Sequence, residues 1–386
     1  MLRSQLDHFI GQVLDFAPET SDIIFTAGKT LQAEVHGKLL EAPLRPSMGE
    51  LLPFHTESVA FALMGPNIRL FRDLVDHGSC DLAYQLPGRS RFRVNIFSQR
   101  GSLSIVMRQL SSKVPTIEKL NLPSIFREMG KEKFGMILVT GATGSGKSTS
   151  LAALIDFINS QAAVHIVTLE DPVEYVHPHK MGTVNQRELG VDFDAFASGL
   201  RAALRQAPKV ILVGEIRDRE TIEIAMSAAE TGHLVLGTLH TSDTGQTINR
   251  IIGMFELSEE RLIRIRLAES LKFVVSQRLL SKMGGGRVAA FEVLRKNLRI
   301  TDLVLNGERE EKTFYNVIQS SETYGMITFD QYIYNLFEQG LISEETAMLT
   351  ATDKSRLGQM IDKLKSSRGE KVTSIDNLVI DEEYGS

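Results

Sequence analysis

The sequence predicts an α/β protein: a parallel sheet with helices on both sides, preceded by a smaller α/β domain. Three observations carry that expectation. Four short runs, 136–140, 165–169, 210–213 and 234–238, are almost unbroken in apolar side chains, the pattern of strands covered on both faces. Helical patterns at 148–158, 193–205 and 219–229 separate them, as in successive βαβ units. At 386 residues the chain is long enough for two domains, and its character changes across 109–123, where Ser111-Ser112, Pro115 and Pro123 read as a linker.

Before the linker, residues 1–16 place Leu2, Leu6, Phe9, Ile10, Val13 and Leu14 at helical spacing. Short extended segments follow at 22–26 and 31–35, then a polar loop to about Glu50. Helical patterns cover 53–64 and 67–76, and strand patterns cover 81–85, 90–98 and 103–108. Beyond Ser258 the pattern turns mainly helical, at 259–280, 329–339 and 343–349, broken by Gly284-Gly285-Gly286 and a short strand at 288–293. The expected division is an N-terminal domain over 1–108, a linker over 109–123 and a phosphate-binding core over 124–300. A helical C-terminal subdomain over 301–365 and a polar, acidic, disordered tail over 366–386 complete it.

Net charge is −5, from 43 basic and 48 acidic residues, so the chain lacks the overall basic footprint of proteins that grip a nucleic-acid backbone. Cys80 stands alone, which excludes an internal disulfide and a Cys-x-x-Cys metal knuckle, and it reads as a small buried hydrophobe. No apolar h-region follows Met1, and no run reaches the roughly 20 apolar residues of a membrane-spanning helix. The expectation is a cytoplasmic protein that meets any membrane through partners.

The strongest chemical signal is Gly141-Ala142-Thr143-Gly144-Ser145-Gly146-Lys147-Ser148, a complete G-x-x-x-x-G-K-[ST] motif followed by Thr149. An apolar strand enters it and a helical pattern leaves it. Its glycines let the backbone curl so that successive N–H groups face phosphate oxygens, and the helix N-terminus adds positive potential there. Lys147 is expected on the β- and γ-phosphates of a bound ATP, and Ser148 on its Mg²⁺.

Carboxylates end two of the apolar strands. The run 210–213 leads into Gly214-Glu215, a position from which P-loop enzymes orient metal or attacking water. The run 165–169 leads into Glu170-Asp171-Pro172-Val173-Glu174, where Pro172 stops the strand. These three carboxylates fit a metal–water shell or a solvated acidic loop, with Glu170 ranked first. His233 and His240 stand at opposite ends of one strand, which argues against a shared metal. His240 could sense nucleotide from a strand end facing the γ-phosphate. Arg89, Arg91, Arg93, Arg100 and Arg108 crowd the N-terminal strands. They fit a solvated face, or delivery of a guanidinium to phosphate, which is worth about 10³–10⁵ in rate in other P-loop enzymes.

Five segments then fall in a telling order: S-R-F-R-V-N-I-F at 90–97, G-A-T-G-S-G-K-S-T at 141–149, T-L-E-D-P-V-E-Y-V-H at 168–177, L-R-Q-A-P before V-I-L-V-G-E-I-R-D at 204–218, and T-G-H-L-V-L-G-T-L-H-T at 231–241. Together they resemble the PilT/PilU branch of the secretion-superfamily ATPases, over about residues 20–365. The resemblance implies an N-terminal PAS-like α/β domain and a C-terminal RecA-like P-loop ATPase domain with a helical C-terminal subdomain. It implies a hexameric ring, with nucleotide between the domains and the next subunit closing the site. Glu170, Asp171 and Glu174 then form an Asp box, Glu215 is the catalytic glutamate of the Walker B box, and His233 and His240 belong to a His box. Arg93 and Arg108 match arginines that contact phosphate, and Arg205 is a further candidate.

The function so implied is ATP hydrolysis that powers type IV pilus retraction and twitching motility, exerted on an inner-membrane platform protein. The chain lacks the four-cysteine zinc motif and the longer N-terminal region of pilus-assembly relatives. Ala142, Ser150 and the tail lean toward an accessory, PilU-like member, and residues 298–308 match the A-I-R-N-L-I-R-E box of PilT in part. Two other readings stay open. One is a nucleotide-binding adaptor coupled to a paralogous PilT-type motor. The other is a nucleic-acid translocase, which the acidic balance disfavours.

Overall fold

The structure, a computed structural model, describes residues 1–110, 113–310 and 312–369. Ser111-Ser112 of the expected linker and the expected tail from 370 onward lie outside the described residues. The chain forms two compact units. One comprises Met1–Thr116 with Glu170–Lys180 and Gln186–Asp194, and the other comprises Ile117–Leu169, Met181–Asn185 and the residues from Ala195 on.

In the first unit the order is α1 (Arg3–Phe16), β1 (Thr20–Phe25), β2 (Gln32–Val35), β3 (Lys38–Glu41), α2 (Pro53–Met64), α3 (Ile68–His77), β4 (Ser79–Leu86), β5 (Ser90–Gln99) and β6 (Ser102–Leu110). The strands make one antiparallel sheet in the order β3-β2-β1-β6-β5-β4. Leu6, Ile10, Val13 and Leu14 of α1 pack in the same core as Phe92, Val94 and Ile96 of β5. Because side chains alternate along a strand, Arg91 and Arg93 take the other face of β5, away from that core. Strand β3, expected as loop, is exposed throughout and carries no burial pattern to read. Cys80 is buried as expected, and burial, then the charges of Asp73 and Asp81, push its thiol up to about 11.

Further along the chain, and in the second unit except for Glu170 and Gln186–Glu188, α4 (Ile125–Met129) precedes β7 (Gly135–Thr140), α5 (Lys147–Gln161), β8 (His165–Glu170) and β9 (Thr183–Glu188). Then come α6 (Phe196–Ala203), β10 (Val210–Val213), α7 (Arg219–Glu230), β11 (Leu234–Leu239), α8 (Thr244–Ile252), α9 (Glu260–Ser270), β12 (Leu271–Ser281) and β13 (Arg287–Arg295). Five helices close the described chain: α10 (Leu298–Asn306), α11 (Phe314–Gln319), α12 (Phe329–Glu338), α13 (Glu344–Thr350) and α14 (Lys354–Ser367). The sheet order is β13-β12-β7-β11-β10-β8-β9. Its centre, from β12 through β7, β11 and β10 to β8, is parallel, and β13 returns antiparallel. Every residue of β7, β10 and β11 is buried, as the unbroken apolar runs predict. Full burial of one such Val, Leu or Ile contributes about 1.5–3 kcal/mol, so the sheet is a rigid platform for whatever its edge carries.

Several expectations are corrected. The helix expected over 259–280 ends at Ser270, and β12 takes over. The β-branched pair Val274-Val275 fits a pleated surface, and pairing with β7 and β13 outweighs the helical spacing of the leucines. The helix expected over 193–205 is α6 followed by a 3₁₀ turn at Leu204–Gln206. Strand β6 runs on to Leu110, inside the expected linker, and the expected boundary at residue 300 falls within α10. Helix α14 continues to Ser367, past the expected start of the tail. Among the described residues no helix is long and apolar enough to cross a membrane.

Candidate active site

Strand β7 delivers the chain to the phosphate loop. Gly141, Gly144 and Gly146 have φ of +143°, +77° and +91°, a region that side chains with a Cβ avoid. A Cβ on Gly141 would stand 2.4 Å from the carbonyl oxygen of Gln277, so only glycine fits there. Ala142, Thr143 and Gly144 face solvent, and Ser148 is exposed at the start of α5 while Thr149 is half-buried. Helix α5 starts at Lys147 with no side-chain cap. Its first-turn N–H groups are therefore of the kind that bind anions. Lys147 is only 8% exposed, and its Nζ donates to the carbonyls of Gly141 at 2.8 Å and Ala142 at 3.1 Å. The Ser145 Oγ is buried inside the loop with no hydrogen-bond partner. A curled, glycine-dependent backbone, an inward ammonium and an orphaned hydroxyl fit a polyphosphate.

Register decides what shares that edge. β11 runs beside β7 from Leu234 opposite Gly135 to Leu239 opposite Thr140. His240 therefore emerges at the loop edge, beside Gly141. His233 stands at the other end, its carbonyl accepting from the Gly135 N–H at 3.0 Å and its Nδ1 lying 3.0 Å from the Ala228 carbonyl. At about 3.3 Å per residue, the seven-residue separation across the strand puts the two histidines roughly 23 Å apart. The structure thus brings His240 to the site edge and leaves His233 as a strand-entry residue.

Glu215 follows β10 at the same edge as the loop. Gly214 N–H donates to the Leu169 carbonyl at 2.7 Å and Ile216 N–H to the Thr238 carbonyl at 2.9 Å, which fixes the turn between β8 and β11. A Cβ on Gly237 would stand 2.7 Å from Ile216 Cδ1, so that side chain would have to shift to admit one. Arg217 donates to both oxygens of the Glu215 carboxylate, from Nε to Oε1 at 2.5 Å and from Nη2 to Oε2 at 2.6 Å, and His240 Nε2 lies 3.2 Å from Oε1. Burial pushes the Glu215 carboxyl up. The hydrogen bond and charge of Arg217, aided by His240, outweigh it and hold the group below its ordinary range. Arg217 went unremarked in the sequence although it stands in the quoted G-E-I-R-D. Only the turn after β10 shows that it folds back on Glu215. Arg205 is exposed in the turn leading into the start of β10, whereas Glu215 follows the end of that strand.

The acidic loop belongs to the first unit. Glu170 accepts from Gln186 Nε2 at 2.9 Å, and Gln186 also donates to the Tyr175 carbonyl at 2.8 Å. Asp171 is exposed and Glu174 is half-buried. Arg91 holds the loop to β5, pairing with Glu188 at 2.5 Å and donating from Nε to the Val173 carbonyl at 3.2 Å. Arg93 and Arg108 stand directly opposite each other on β5 and β6. Like charges so placed repel. Asp22, next in the row on β1, answers only one of them, through Arg108 Nε at 2.9 Å. The remaining positive charge suits an anion. Among the described residues no group of three His, Cys, Asp or Glu could hold a metal ion. The three acidic-loop carboxylates are therefore not a closed metal cage.

Residues 76–323 match the family described as type II/IV secretion system protein. The type IV pilus retraction ATPase PilT of Pseudomonas aeruginosa is 41% identical over 342 residues, 88% of this chain and 96% of that one. The type IV pilus ATPase PilU of the same organism is 38% identical over 356 residues, 92% of this chain and 91% of that one. Among solved structures, the pilus retraction motor PilT with bound ADP superposes with a TM-score of 0.81 at 42% identity, covering 92% of this chain and 99% of that one. The Legionella pneumophila ATPase DotB gives 0.79 at 30% identity, covering 90% and 95%.

Proposed function

The chain belongs to the type II/IV secretion system protein family as a PilT/PilU-like ATPase, and from that premise we propose a motor that hydrolyses ATP to drive type IV pilus retraction. One observation supports the reading above the others: the phosphate loop, Glu215 and His240 occupy the same edge of one parallel sheet, the edge at which such sheets bind ligands. The amides of Gly141 to Thr149 and the ammonium of Lys147 hold the triphosphate. Mg²⁺ takes oxygen ligands, which the Ser148 hydroxyl and the Glu170 carboxylate offer, and when bound it offsets phosphate charge. Glu215 orients and polarises water, while Arg217 and His240 keep its carboxylate ionised and aimed. Arg93 and Arg108 add positive charge to the phosphoryl group in flight. Asp171, Glu174 and Arg205 are left as secondary candidates.

The partners proposed are five further copies in a hexameric ring, a platform protein at the inner membrane and a paralogous ATPase, with the chain itself cytoplasmic. Light scattering on the purified protein should report six chains. Replacing Lys147 by alanine is expected to abolish both nucleotide binding and turnover. Deleting the gene should stop twitching, with rescue by the wild type and none by Lys147→Ala. Undiminished turnover in Lys147→Ala, or unchanged motility on deletion, overturns the reading. The similar match to PilU favours a second version, in which the chain works only beside a PilT-type paralogue. ATP turnover that rises on mixing the two proteins identifies that version.

A further inference from the structure

The phosphate loop rests on a residue far away in the chain. β12 pairs with β7 as far as Ser276 opposite Thr140. The next residue, Gln277, therefore lies where β7 gives way to Gly141. Gln277 is 3% exposed, and its Oε1 accepts from Ser150 Oγ at 2.8 Å. Ser150, itself buried, sits in the first turn of α5. The Gln277 Nε2 lies 2.8 Å from where a Cβ on Gly146 would stand, and its carbonyl oxygen 2.4 Å from where one on Gly141 would stand. Both ends of the loop are thus seated on one side chain and one carbonyl of β12.

Glutamine suits this place for a physical reason. Ser150 and Gln277 are both buried, so the Ser150 hydroxyl needs a protein acceptor, and leaving a buried hydroxyl unsatisfied costs about 1–3 kcal/mol. The side chain must also be flat enough to pass under Gly146. We infer that Gln277 is a positioning residue for nucleotide binding: it fixes the arc of amides between Gly141 and Lys147 by holding the start of α5 and bracing both glycines. The inference rests on the nucleotide reading above.

The test is a double-mutant cycle on the full chain, read by the dissociation constant for a fluorescent ADP and by thermal melting. Gln277→Met is expected to weaken ADP binding on the order of tenfold, the equivalent of one lost buried hydrogen bond. Adding Ser150→Ala to Gln277→Met removes the orphaned hydroxyl, so the melting temperature should return while the affinity stays low. A merely structural role predicts that both return together, and that outcome overturns the inference, as does wild-type affinity in Gln277→Met. Failure of the wild type to bind ADP would instead remove the nucleotide reading itself.

Discussion

Glu215→Ala is expected to lower kcat for ATP hydrolysis by about 10²–10⁴, the range lost when a positioned acid–base group is removed. The expectation follows from geometry: Glu215 sits 19% exposed at the loop edge, on a turn locked between β8 and β11, with its carboxylate aimed by Arg217 and His240. Nucleotide affinity should change little, because the loop and Lys147 are untouched. A kcat within threefold of wild type would remove Glu215 from the proposed role. The pH dependence sharpens the test. A group held below its ordinary range stays ionised into acid, so the acid limb of kcat should fall below the usual carboxylate range. In Arg217→Ala the larger opposing contribution is gone, and burial of Glu215 is opposed by His240 alone. The acid limb should then move to higher pH. A limb that stays put or moves down refutes the assignment.

The largest effect on stability is expected at Asp330, far from the chemistry. It is 1% exposed in the first turn of α12 and accepts three hydrogen bonds: from Tyr315 Oη at 2.9 Å, Thr352 N–H at 2.7 Å and Asp353 N–H at 2.9 Å. These join α11, α12 and the start of α14. Burial, followed by the charge of Asp330, pushes the Tyr315 hydroxyl up, so it remains a donor throughout the accessible pH range. Asp330→Ala strands three donors at once and should cost about 3–5 kcal/mol in urea or thermal unfolding. The amides of Thr352 and Asp353 should exchange faster with deuterium. Asp330→Asn keeps an acceptor oxygen and should fall between. Unchanged melting in Asp330→Ala would show that these contacts do not hold the C-terminal helices.

Parts of the fold were legible because one physical signal dominated them. Strands β7, β10 and β11 are buried throughout and β8 over its middle, so apolar side chains dominate them. The phosphate loop was legible because its backbone requires glycine at fixed places. Elsewhere the signal was absent or ambiguous. Strand β9 reads T-V-N-Q-R-E, too polar to announce a strand, and β12 alternates weakly enough to pass for helix. Tertiary pairing, which the local sequence does not encode, decided both.

By itself the sequence determined the kind of chemistry, because the phosphate loop's backbone geometry is written in its glycines and lysine, and a strand-end glutamate can be read from the apolar run before it. Only the tertiary structure decided which residues share an edge. Parallel register placed His240 with the loop and His233 at the far end, and a turn folded Arg217 onto Glu215. β12 brought Gln277 under Gly141, and Arg91 and Gln186 tied the acidic loop to the first unit. The reason is physical: local spacing constrains φ, ψ and burial, whereas contacts between distant segments arise only when the sheet is assembled.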